Sequence, residues 1–74
     1  MSRSPRVSGA DLVDALEKAG FRVVRIRGSH HFFRHEDGRS TVVPVHGTET
    51  IGPGLLHKIL RDCQMTTAEL LNLL

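Results

Sequence analysis

The chain has little of what many catalytic and structural designs depend on. It contains one cysteine, Cys63, so it can form no internal disulfide and no cysteine-based zinc cluster. That residue follows an apolar helical run and reads as a buried structural thiol. No stretch approaches the roughly 20 consecutive apolar residues that span a bilayer. The beginning of the chain lacks the apolar segment of a signal peptide, so a cytoplasmic location is expected. There is no glycine-rich phosphate loop, no serine–histidine–acid set and no metal-binding motif. With 74 residues, the chain has room for one domain, over residues 1–74, and a small core. Any chemistry must therefore use few side chains close to the surface.

Acidic residues are also scarce in the middle of the chain. The formal charge is only +2, but it is unevenly spread. Residues 21–48 carry five arginines (Arg22, Arg25, Arg27, Arg34 and Arg39) against Glu36 and Asp37, a net +3. Arginine offers a planar fork that matches phosphate oxygens. A basic segment made only of arginine points to a polyanionic partner, although solvated arginines on strands give the same composition.

What is present reads as a small α+β domain. Residues 1–7 show no periodicity and are expected to be a loose start. Ser8 and Asp11 form a capping-box pattern, and Leu12, Ala15, Leu16 and Ala19 recur at helical spacing before Gly20. A helix is expected over Gly9–Ala19. Phe21–Arg27 and His30–His35 read as strands separated by Gly28-Ser29. Asp37-Gly38 is a two-residue hairpin signal leading into a third strand over Ser40–His46. Pro44 favours an edge strand or a bulge. Pro53 suits the first turn of a second helix, with Leu55, Leu56, Ile59, Leu60 and Cys63 as its apolar stripe. Thr66 and Glu69 open a short last helix. The order is α-β-β-β-α with a short C-terminal α: a three-stranded antiparallel meander with helices on one face.

Four of the five histidines (His30, His31, His35 and His46) lie in or beside the second hairpin. A two-residue Asp37-Gly38 turn pairs Glu36 with Arg39, His31 with Pro44 and His30 with Val45. One face then holds His30, Phe32, Arg34, Thr41, Val43 and Val45, and its apolar block assigns it to the helices. His31, His35 and His46 are left on the open face, with Phe33 and Val42 partly exposed beside them. A two-residue Gly28-Ser29 turn would place Val24 and Ile26 on that face too. These histidines could be solvated strand residues or zinc ligands, though no acidic or cysteine ligand accompanies them. They could also transfer protons near neutral pH. An RNA backbone carries its own nucleophile, the 2′-hydroxyl, so histidine and arginine would be enough to cleave it.

Several segments together resemble the HicA family of bacterial and archaeal toxins: Gly20-Phe21, Arg25-x-x-Gly28-Ser29-His30-His31-Phe32, Val43-Pro44-x-His46-Gly47 and Gly54-x-Leu56-x-x-Ile59-Leu60. The resemblance covers nearly the whole chain, although Ile26 stands where relatives commonly have a polar residue. It implies a fold like that of a double-stranded-RNA-binding domain, ribosome-independent cleavage of mRNA, and neutralisation by a HicB-like antitoxin. It assigns the catalytic role to His31, the last residue of a Gly-Ser-x-His motif. His46 matches a second histidine of the family pattern, and it could, with Ser29, support catalysis or make a structural hydrogen bond near the strand end. Arg25, Arg27 and Arg34 are the expected RNA contacts, with Arg25 inside the motif. No cofactor or metal is expected, and no membrane association. The alternative is a non-catalytic RNA-binding module of the same fold, or a domain that binds only another protein through Phe33 and Val42.

Overall fold

Ser8 starts the first helix by the expected reciprocal cap. Its hydroxyl accepts from the Asp11 amide at 3.1 Å, and the Asp11 carboxylate accepts from the Ser8 amide at 3.4 Å. In the computed structural model, which describes residues 5–74, α1 runs over Gly9–Lys18 and buries Leu12, Ala15 and Leu16. Gly20, at φ 96°, ends it: the Phe21 amide returns to the Leu16 carbonyl and the Gly20 amide to that of Glu17. Three strands follow, β1 (Arg22–Arg27), β2 (His30–Arg34) and β3 (Ser40–Pro44). They form one antiparallel sheet in the order β1-β2-β3. Helix α2 (Pro53–Asp62) opens on Pro53, and α3 (Thr67–Leu73) opens on a Thr66–Glu69 capping box. The architecture is the α+β, α-β-β-β-α arrangement of a double-stranded-RNA-binding domain with a short third helix.

Helices α1 and α2 pack against β3, whose Thr41 and Val43 are buried, and α3 packs against α1. The core joins these to Leu12, Leu16, Phe33, Leu56, Ile59 and Leu70. Val7 belongs to this core at 2% exposure, and its carbonyl accepts from the Ile51 amide at 2.8 Å. Val7 is therefore fixed in the core, where a loose start was expected over residues 1–7; residues 1–4 lie outside the described residues. Cys63 is buried as expected. Burial, reinforced by Asp62, pushes its thiol up to about 11. A thiol reagent at pH 8 should leave native protein unmodified and react only on unfolding; rapid native-state labelling would contradict this packing.

The second hairpin differs from the sequence expectation in one respect, and the whole sheet feels it. The turn uses three residues, Glu36–Gly38, closed by His35 and Arg39. The His35 amide donates to the Arg39 carbonyl at 2.8 Å, and the Gly38 amide donates to the His35 carbonyl at 2.9 Å. Only Gly38 takes a positive φ (98°), whereas the two-residue turn would require one at Asp37 as well. The Asp37 carboxylate instead accepts from the Arg39 amide and guanidinium, which holds its carboxyl below the usual range. His35 packs edge-on to Phe21, with ring centroids 5.0 Å apart. Arg39 lies over the same ring and donates to the Cys63 carbonyl at the end of α2. The register moves by one residue: Arg34 faces Ser40, Phe33 faces Thr41, Phe32 faces Val42, His31 faces Val43 and His30 faces Pro44. A one-residue shift exchanges the two faces of a strand. His31 and Phe33 therefore point to the helical side, with Phe33 only 1% exposed, while His30, Phe32 and Arg34 point to the open side.

Gly9 is required where α1 meets β3. A Cβ there would strike the Pro44 carbonyl oxygen and lie 2.9 Å from Val45 Cα, both backbone atoms that cannot swing away. Alanine normally favours a helix over glycine by about 1 kcal/mol, but overpacking of this kind costs about 1–3 kcal/mol. Gly9→Ala should therefore lower the thermal midpoint, and a raised midpoint would show that helix and strand can separate.

Candidate nucleic-acid interface

The open face of the sheet is assembled row by row across the strands. Arg22 lies opposite Arg34, Arg25 opposite Phe32, and Arg27 opposite His30. A bulge at Val24, between Val23 and Arg25, makes this possible. Strict alternation from Arg27 through Arg25 would turn Arg22 to the helical side; the extra residue restores it to the open side and sends Val23 to the other. Ile26 falls on the helical side with His31, so the expected exposure of Ile26 on the open face is also corrected by the register. Gly28, at φ 59°, supplies the tight turn that joins β1 to β2.

None of the three strands contains an acidic residue. Among the described residues, Arg22, Arg25, Arg27 and Arg34 make no ion pair; the acidic partners go to His35, Arg39 and Lys58. Like charges directly opposite on a sheet, as at Arg22 and Arg34, oppose folding. A face that keeps such charges uncompensated is suited to an external polyanion. Phe32 is half-buried between Val42 and Arg25, whose guanidinium carbon lies 5.8 Å from the ring centroid. It presents an aromatic surface among the cations. A hollow of about 460 Å³ is lined by Arg25, Phe32, Arg34 and Val42 and also by Thr41 and Asp62, which belong to the helical side.

Of the residues expected to matter, Arg25, Arg27 and Arg34 meet on this face. Arg22 joins them, which sequence reasoning missed because the bulge leaves no mark in the periodicity. His30 also stands here, exposed and in the same row as Arg27, although it was expected to face the helices. His31 is half-buried in the row Ile26–His31–Val43 on the other side, and its side chain makes no hydrogen bond among the described residues. Ser29 and His46 do come together: Ser29 Oγ and His46 Nε2 are 3.3 Å apart. The Val45 amide donates to the Ser29 carbonyl at 2.8 Å. Both contacts hold the turn that carries His30. His35 is part of the Phe21–Arg39 packing and lies away from this face. Among the described residues, no group of three or more His, Cys, Asp or Glu side chains gathers as a metal site, and no helix is long and apolar enough to cross a membrane.

A family model described as the HicA toxin of bacterial toxin–antitoxin systems matches residues 9–65. The match extends from the first residue of α1 past the end of α2 and includes every residue of the open face. A comparison with curated proteins found no match.

Proposed function

Because this chain belongs to the HicA family and is thus a toxin of a toxin–antitoxin system, we propose that it is a ribosome-independent endoribonuclease that cleaves mRNA in the cytoplasm on the open face of its sheet. The observation that carries this reading is the position of His30, exposed in the Arg27 row and next to the Arg25 row, on a sheet whose strands carry no carboxylate. The arginines hold the phosphates and offset the charge that builds on a phosphoryl oxygen during attack. His30 accepts the proton of the RNA 2′-hydroxyl as its oxygen bonds to phosphorus. The P–O5′ bond breaks, and the 5′ oxygen takes a proton from water. Ser29 and His46 act as positioning residues through their contact at the turn. The family resemblance assigns the catalytic role to His31, but the register favours its neighbour.

The test is incubation of the purified protein with RNA in the presence of a chelator, with His30 and His31 substituted separately. Cleavage should persist without divalent metal. Binding without cleavage by the wild type would favour the non-catalytic module. Affinity for single-stranded RNA should fall with salt, with a log–log slope of roughly −0.7 for each phosphate neutralised. Single Arg22→Ala, Arg25→Ala, Arg27→Ala and Arg34→Ala variants should each flatten that slope by about one contact, and unchanged slopes would remove the arginine face from the reading.

A further inference from the structure

The two edges of the sheet are unlike each other. The β3 edge is blunted: Pro44 lies on it, the start of α1 presses on the Pro44–Val45 backbone at Gly9, and Ser8 bridges to Thr50. Pro44 sits between Val43 and Val45, and the Val45 amide points into the sheet. By the alternation of an antiparallel ladder the Pro44 nitrogen points outward, where a missing N–H breaks no pairing. The β1 edge has no such cover. All six residues of β1 are exposed, with Val23 at 39%, Val24 at 52% and Ile26 at 58%. Arg27 closes the tight turn with His30, so its polar backbone groups point toward β2 and those of Ile26 point away from the sheet. The strand thus offers free backbone groups, apolar side chains on its helical side (Val23 and Ile26), and arginines on its open side (Arg22, Arg25 and Arg27).

We propose that β1 accepts an extended acidic strand from an inhibitory partner protein, with carboxylates alternating with apolar residues, as a fourth strand of the sheet. This rests on the reading of the open face as the RNA-cleaving surface. Charge and side-chain alternation select the occupant. A second copy of β1 fits poorly. In one phase it sets the arginines of both copies side by side at about 5 Å; in the other it sets the arginines of one copy against the valine and isoleucine of the next. An acidic alternating strand satisfies both faces at once: its carboxylates meet Arg22, Arg25 and Arg27, and its apolar residues cover Val23 and Ile26. The backbone pairing supplies affinity and the alternation supplies specificity. The same carboxylates neutralise the arginines that would hold RNA, so the partner inhibits by direct competition. An interface built on Phe33 is ruled out, because that residue is in the core.

The probe is a synthetic peptide alternating glutamate and valine, with its lysine-for-glutamate counterpart and a single-stranded RNA as comparison ligands. The acidic peptide should bind, slow amide exchange at Ile26, and compete with RNA. The lysine peptide should bind at least roughly tenfold more weakly, since like charges across an interface are repelled. Ile26→Pro removes the outward amide at an edge where proline is tolerated, and Arg25→Glu/Arg27→Glu reverses the local charge. The first should abolish binding of the acidic peptide, and the second should transfer the preference to the lysine peptide. Equal binding of both peptides, protection confined to the helices, or self-association through β1 would overturn the proposal. RNA cleavage is scored separately in the wild type. Peptide pairing on β1 in a protein that does not cleave RNA supports the docking edge and rejects the nuclease, whereas cleavage without peptide pairing rejects the docking edge alone.

Discussion

His30→Ala is expected to slow RNA cleavage by about 10²–10⁴-fold, the usual contribution of a general acid–base group, while leaving the domain folded. His30 is exposed and opposite Arg27 and Pro44, so its removal opens no cavity. RNA affinity should change little, because the four arginines of the face remain. His30→Gln should be equally slow, since it keeps polarity but cannot carry a proton at neutral pH. His31→Ala is the informative comparison. His31 is half-buried between Ile26 and Val43 on the helical side, and its loss should register mainly in stability. Cleavage rates measured above saturating RNA, together with thermal unfolding of each variant, separate the two effects. A protein that loses cleavage with His31→Ala and keeps it with His30→Ala would return the catalytic role to His31.

Phe33→Ala should be the most destabilising single change on the sheet. Its ring is 1% exposed and packs in the core with Leu12, Leu16 and Val43. Truncating a buried phenylalanine costs about 3–5 kcal/mol, comparable to the whole net stability of a domain this small. Phe32→Ala, one residue away but half-buried on the open face, should cost much less and instead weaken RNA binding, because a base loses its stacking surface. Urea denaturation of the two variants reads the register directly. If Phe32→Ala unfolds more readily than Phe33→Ala, the faces of β2 are reversed.

Much of this protein follows from local chemistry that a linear sequence displays. The Ser8–Asp11 and Thr66–Glu69 caps, the glycine stop at Gly20, the tight turn at Gly28-Ser29 and the helical stripe from Leu56 to Cys63 each depend on residues within a few positions of one another, so element order and fold class were legible. The arginine-rich, acid-poor middle was legible too, and with the Gly-Ser-His-His run it led to the toxin family. Which histidine reaches the open face was not legible. That depends on whether the second hairpin turns in two residues or three, and the choice is made by distant partners. Arg39 holds Asp37 while lying over Phe21 and reaching the Cys63 carbonyl, and His35 packs on Phe21. The bulge at Val24, which brings Arg22 onto the open face, likewise leaves no periodic signal. A strand reverses its faces with a single residue of slip, so a local pattern can name the residues of this site, but only the packed sheet decides which of them face the substrate.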